Sequence, residues 1–168
     1  SAQAAVFLHT ETTGSTQDDL AELWNQAPTY TALVADNQTA GRGRIGRSWY
    51  SEPEHSLLIS VLVSLPVELR DQLHWLTLIG GAAARAATGS ECVKVKWPND
   101  VVVDNKKIGG IIGEYCGEAD GRLTAVLGLG MNLSITQFPT PTSGSLLSAG
   151  LPVLGRDELG AAWLAGLK

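Results

Sequence analysis

Residues 93–116 read VKVKWPNDVVVDNKKIGGIIGEYC. Three runs rich in β-branched and apolar residues, Val93 to Trp97, Val101 to Val103 and Lys107 to Cys116, are parted first by Pro98-Asn99-Asp100 and then by Asp104-Asn105. Pro98 breaks a strand, and Asn and Asp are turn formers that tolerate left-handed backbone. Asp104-Asn105 therefore predicts a tight hairpin, and the stretch predicts consecutive antiparallel strands.

Working outward, Leu123 to Leu129 extends the same pattern downstream. Upstream, Ser56 to Leu65 is a nearly continuous apolar run stopped by Pro66, the signature of a strand buried on both faces. Between these, Leu69, Leu73, Leu76, Gly80 and Ala83 recur at helical spacing up to Gly89, which predicts one long helix. Tyr30 to Ala35 and Val6 to Leu8 read as further strands. Ser15 with Asp18 three residues later predicts a capping-box helix carrying Leu20, Leu23 and Trp24 and ending near Pro28. A last helix is predicted over Glu158 to Leu167, after a Pro- and Ser-rich stretch. Hairpins interspersed with helices give an α+β domain, with a mixed, largely antiparallel β-sheet flanked by helices.

The 168 residues suit one domain, and no internal repeat or low-complexity tract divides them. No run approaches the length of a membrane span, and no secretory signal pattern is visible, so the cytoplasm is the expected compartment. Cys92 and Cys116 lie far apart and read as buried thiols, while His9, His55 and His74 are scattered. Neither a disulfide framework nor a zinc site is suggested, and no residue is read as a metal ligand.

A net charge of −5 disfavours a general nucleic-acid surface, yet residues 41–47 read GRGRIGR. Glycine lets a backbone point several N–H groups at one spot, and Arg42, Arg44 and Arg47 add permanently charged forked donors, a combination suited to phosphate or carboxylate. The loop is not a Walker motif, which would end in Gly-Lys-Ser/Thr, nor a dinucleotide fingerprint, which needs strand-GxGxxG-helix context. Lys107 with Gly109-Gly110, and Gly128-Leu129-Gly130, place glycines within strands, where they often mark close approach of a ligand. Taken singly, Trp97 reads as core and Asn99 and Asp100 as turn formers.

Gln38 through Arg47 (QTAGRGRIGR), Trp49, Lys96-Trp97-Pro98-Asn99-Asp100, KIGGII at 107–112 and GLGMN at 128–132 resemble, in order and spacing, the catalytic domain of biotin-protein ligases. The resemblance covers nearly the whole chain. It implies the fold of the class II aminoacyl-tRNA synthetase and biotin/lipoate ligase superfamily and a catalytic domain over 1–168, with neither an N-terminal winged helix nor a C-terminal β-barrel-like domain. Gln17 stands where the family usually has Asn, and Ser51-Glu52-Pro53-Glu54 where Ser-Pro-x-Gly is usual.

The activity so implied is ATP-dependent conversion of biotin to biotinyl-adenylate, followed by transfer of biotin to a lysine. Biotin and ATP are then the substrates and Mg²⁺ the helper ion. Ser15, Thr16 and Gln38 would bind the biotin ring head, with Gly41, Gly110, Gly128 and Gly130 lining the pocket. Arg42, Arg44 and Lys107 would hold the biotin carboxylate and the adenylate phosphate. Arg47, Trp49 and Asn132 join Arg44 and Lys107 on the nucleotide side, with Trp49 stacked on adenine or covering the pocket. Asp100 has three readings: an organiser of metal or nucleotide, a base for the incoming lysine, or a turn residue. The implied partner is a biotin carboxyl carrier protein domain, a homodimer is compatible, and nucleic acid and membrane are not partners. Lipoate-protein ligase chemistry is the alternative, although its Arg-Arg-x-Ser-Gly-Gly-Gly signature is absent; a biotin- or adenylate-binding module without transfer is another.

Overall fold

The computed structural model describes residues 6–168. The chain runs β1 (Phe7–Thr13), α1 (Thr16–Glu22), β2 (Ala32–Gln38), β3 (Ser56–Pro66), a 3₁₀ helix (Val67–Gln72), α2 (Trp75–Thr88), β4 (Lys94–Lys96), β5 (Asp100–Val103), β6 (Lys106–Ala119), β7 (Arg122–Asn132) and α3 (Arg156–Ala165). The seven strands form one sheet in the order β1-β2-β3-β7-β6-β5-β4. Only β1 and β2 are parallel; every other neighbouring pair is antiparallel. The sheet is thus mixed and largely antiparallel, as the hairpin pattern predicts.

The β5–β6 hairpin turns at Asp104 and Asn105, both in the left-handed region at φ 47° and 62°. Short polar side chains that bond locally make that conformation tolerable. Strand β3 is buried along most of its length because α2 and α3 cover one face of the sheet and α1 the other. Leu57, Ile59 and Val61 join Leu127, Leu129, Met131 and Trp163 in the larger core, while Leu62, Leu20, Leu33 and Val126 form the smaller core beneath α1.

Four expectations need correction. The helix predicted from Leu69 is broken: Val67–Gln72 is 3₁₀ with no buried residue, and the α-helix starts at Trp75, where Leu76, Gly80 and Gly81 meet the sheet. Without a face to bury, residues 67–72 lack the packing that holds an α-helix. Its predicted end is present, since Gly89 caps α2 at φ 65°. The capping box does not form, because Ser15 makes no side-chain cap and Asp18 pairs instead with Arg42 at 2.6 Å. Trp97 is 77% exposed rather than core, on the turn between β4 and β5. Cys92 is exposed and Cys116 half-buried, so neither is a fully buried thiol; burial does push the Cys116 thiol above its ordinary pKa.

Candidate binding cleft at the glycine rows of the sheet

The strand register creates the site. On the α1 face, Leu58 of β3, Gly130 of β7 and Gly110 of β6 lie in one row, and Ser60, Gly128 and Ile112 in the next. Three of these six positions carry no side chain, so the sheet surface is hollowed where a neighbouring strand would otherwise project bulk. The start of α1 and the arginine loop wall the hollow, giving a cleft of about 460 Å³ including its open mouth. That is within the range of roughly 300–1,000 Å³ typical of small-molecule sites.

One end is buried and neutral. Ser15, Thr16, Gln17 and Ser60 are each at most 3% exposed. Gln38 Oε1 accepts from the Thr16 backbone N–H at 2.8 Å, so β2 supplies the cap that Ser15 does not. Thr16 Oγ1 lies 3.1 Å from Gln38 Oε1 and 2.8 Å from Ser60 Oγ, and the Ser60 hydroxyl donates to Gln17 Oε1 at 3.1 Å.

The other end is cationic. Lys107 Nζ sits 2.7 Å from Asp100 Oδ1 across the β5–β6 pairing. Asp100 is the first residue of β5 and the counter-ion of Lys107, which sets aside its reading as a turn residue. The Lys107 backbone is held on both sides: its N–H donates to Thr142 O at 2.8 Å, and its carbonyl accepts from Gly144 N–H at 2.8 Å. Arg42 reaches Asp18 at 2.6 Å and Glu114 at 2.8 Å. Burial opposes its charge, but the two carboxylates outweigh that and hold its pKa above the ordinary value. Arg44 lines the cleft and has no carboxylate partner among the described residues.

The arginine loop folds as a small hairpin. Gly43 N–H donates to Arg47 O at 2.7 Å, Trp49 N–H to Gly41 O at 2.8 Å, and Ile45 and Gly46 turn with positive φ. Gly41 allows a close approach at the neck, where a Cβ would come within 2.9 Å of both Gln38 Nε2 and Trp49 O. Trp49 lies over the hollow itself: a Cβ on Gly130 would fall 2.6 Å from its indole, and one on Gly110 3.4 Å. Lys107 Nζ is 5.6 Å from its ring centroid, and the indole Nε1–H is buried without a partner.

Of the residues expected at a site, Ser15, Thr16, Gln38, Arg42, Arg44, Trp49, Lys107, Gly110, Gly128 and Gly130 line this one cleft. Gly41 and Asp100 stand directly behind it. Arg47 does not line it, lying exposed at the foot of the loop hairpin. Asn132 is buried beyond the β7 end: its Nδ2 donates to Gly144 O at 2.9 Å, and its Oδ1 has no partner. Gln17, Ser60 and Asn99 were not singled out by the sequence reading yet line the cleft. The available signal for Ser60 was a hydroxyl inside an otherwise apolar, doubly buried strand. Among the described residues no group of three or more His, Cys, Asp or Glu is placed to hold a metal, and no helix is long and apolar enough to cross a membrane.

Residues 10–132 match the model of the biotin/lipoate A/B protein ligase family. The bifunctional ligase/repressor BirA of Bacillus spizizenii is 33% identical over 131 residues, covering 76% of this chain and 40% of that protein. The biotin–[acetyl-CoA-carboxylase] ligase of Mycobacterium tuberculosis is 33% identical over 153 residues, covering 81% of this chain and 52% of its own length. The chain therefore spans about half or less of these relatives. Among solved structures, the biotin protein ligase of Leishmania major in complex with biotinyl-5-AMP superposes with a TM-score of 0.79 at 28% identity, over 98% of this chain and 74% of that one. The biotin protein ligase of Aquifex aeolicus in complex with biotin and ATP gives 0.77 at 30%, over 96% and 68%.

Proposed function

The chain belongs to the biotin/lipoate A/B protein ligase family, and on that premise we propose that it activates biotin with ATP and passes the biotinyl group to a lysine of a biotin carboxyl carrier protein domain. The observation that carries this reading is the division of the cleft into a buried, neutral hydrogen-bonding end and a cationic end. A ligand with a polar ring head and a carboxylate tail fits that division head inward. Ser15, Thr16 and Gln38 receive the head, Gly128 and Gly130 leave room for it, and the carboxylate emerges beside Lys107 and Arg44.

In the first step a carboxylate oxygen attacks the α-phosphorus of ATP, pyrophosphate leaves, and a mixed anhydride forms. Two anions must meet, so the chain's part is to place cations where both negative charges gather before they react. Arg42 is already neutralised by Asp18 and Glu114, so it serves more as a fixed donor than as free charge. Lys107 shares its charge with Asp100, which leaves Arg44 to supply unshared positive charge to the phosphate. In the second step the acceptor lysine's amine attacks the anhydride carbonyl and AMP leaves. No enzyme nucleophile is needed, in keeping with Cys92 and Cys116 lying outside the cleft.

On the nucleotide side, Trp49 offers a π-face and Asn132 a buried acceptor without a donor, suited to an exocyclic amine. Magnesium enters with ATP, held mainly by the phosphates and water. Asp100 is committed to Lys107 and is assigned the orientation of that lysine rather than metal binding. The cytoplasm, where ATP and the acceptor meet, is the proposed compartment, and a homodimer is the proposed assembly.

The experiment is pyrophosphate release by the purified chain with Mg-ATP and either biotin or lipoate. Release that depends on biotin supports the proposal. Release with lipoate alone transfers the assignment to lipoate activation, and binding of biotin without release reduces it to a binding module.

A further inference from the structure

The buried end of the cleft holds more information than its list of polar groups. Gln17 Nε2 lies 3.1 Å from the Val126 carbonyl, which can only accept, so the amide nitrogen must face it and the amide oxygen must face Ser60. Gly128 is what admits this arrangement, since a Cβ there would overlap Gln17 Oε1. The Ser60 hydroxyl has one hydrogen. Given to Thr16, it would leave the Gln17 oxygen a buried acceptor with no donor, which is costly; it therefore goes to Gln17. Ser60 Oγ then accepts from the Thr16 hydroxyl at 2.8 Å, and Thr16 Oγ1 turns its lone pairs to the cleft. Beside it, Gln38 has its oxygen on the Thr16 N–H and can offer only its NH₂ group.

We infer that Gln17 is a specificity-determining positioning residue: acting through Ser60, it fixes the direction of the Thr16 hydroxyl, so that the buried end selects a ligand presenting an N–H beside a carbonyl, as a cyclic urea does. The inference rests on the reading of biotin as the ligand. It gives Gly128 a second duty, making space for the Gln17 amide rather than for the ligand alone.

The test compares biotin with its two carbamate analogues, each having one ring N–H replaced by oxygen, as calorimetric Kd values. Wild type should bind biotin about tenfold tighter than the weaker analogue, the size of effect expected when a buried hydrogen bond is lost. In Gln17→Met the Ser60 hydrogen is free to occupy Thr16 Oγ1, and the Thr16 hydrogen to meet a ligand oxygen, so the ratio should narrow severalfold with the Kd for ATP unchanged. In Gln17→Met/Ser60→Ala no such hydrogen exists, the Thr16 hydroxyl turns to Gln38, and the preference should return. Recovery on adding a second lesion to the same pocket is not expected of a merely structural role.

An unchanged ratio in Gln17→Met, or no recovery in the double variant, would overturn the inference alone. Failure of wild type to bind biotin would overturn the functional reading and the inference with it. Should the variants not fold, neutron diffraction of the wild-type protein decides: a Ser60 hydroxyl deuteron directed at Gln17 Oε1 supports the proposal, and one directed at Thr16 Oγ1 refutes it.

Discussion

Lys107 is the residue in which the most constraints meet. Its ammonium is paired with Asp100, its backbone is gripped on both sides by residues 142–144, and that segment is in turn tied to β7 by the Asn132 side chain. A point charge so fixed is available in advance, which is how a preorganised site lowers the barrier between two anions. Lys107→Met is expected to reduce biotin-dependent pyrophosphate release by about 10²–10³-fold, as for loss of one preorganised donor at a reacting oxyanion. Single-turnover kinetics at saturating biotin and ATP would check it, and a loss below tenfold would remove Lys107 from the reacting centre. The lysine and arginines were legible in the sequence because charge stands out in an apolar, acidic chain. Gln17 was not, since its role depends on Val126 and Ser60, which lie far from it in sequence and meet it only across the sheet. Asp18 was legible as a helix cap but is drawn to Arg42, a partner that only the loop's return path supplies.

At the scale of elements, turn chemistry and alternation located every strand, whereas helix ends were less legible because they depend on what each turn can bury. The residues after Pro66 keep helical spacing but find no surface to cover and stay 3₁₀. Close approaches were visible only as glycines without a stated partner. Gly117 is one such case: it stands at the register shift of β6, where a Cβ would fall 2.5 Å from the Trp24 ring beyond α1. Overpacking of this kind costs about 1–3 kcal/mol, so Gly117→Ala should lower the urea midpoint accordingly. An unchanged midpoint would mean that Trp24 is free to move.

The arginine loop belongs to the same scale. Its tip holds Ile45 at φ 56° and 87% exposed, a β-branched residue in a conformation that is costly for it, with no burial to compensate. Trp49 covers the glycine rows with its indole N–H unpartnered. Both features favour a rearrangement once a ligand occupies the hollow. Amide exchange over residues 40–54 is therefore expected to slow when biotin and ATP are added together, and exchange that is the same with and without them would contradict a closing loop.

For the molecule as a whole, the sheet sorts its labour by face. One face is filled by Leu127, Leu129, Met131 and the helices α2 and α3, and the other is opened by Gly128 and Gly130 in the same strand, so that one alternating sequence builds both core and site. The β1 edge is joined to this body through Asp36, which accepts from His9 at 3.0 Å and from Arg156 at 2.8 Å, tying β1, β2 and α3 together. The His9 bond lowers the Asp36 pKa, desolvation opposes this, and Arg156 lowers it further, leaving it below the ordinary 3.8. A depressed folded-state pKa means stability that is present above 3.8 and lost as pH falls through the lower folded value. Thermal melts should therefore fall in this acid range, and Asp36→Asn should flatten that fall; equal slopes in both proteins would deny the triad a role.

The central claim is that the two ends of the cleft together make and hold one mixed anhydride. Native mass spectrometry of the chain after incubation with biotin and Mg-ATP tests it most directly. The account predicts a bound mass equal to biotin plus AMP less one water, absent when ATP is replaced by a non-hydrolysable α,β-methylene analogue. Biotin and ATP bound only as separate masses, or no adduct under turnover conditions, would contradict it.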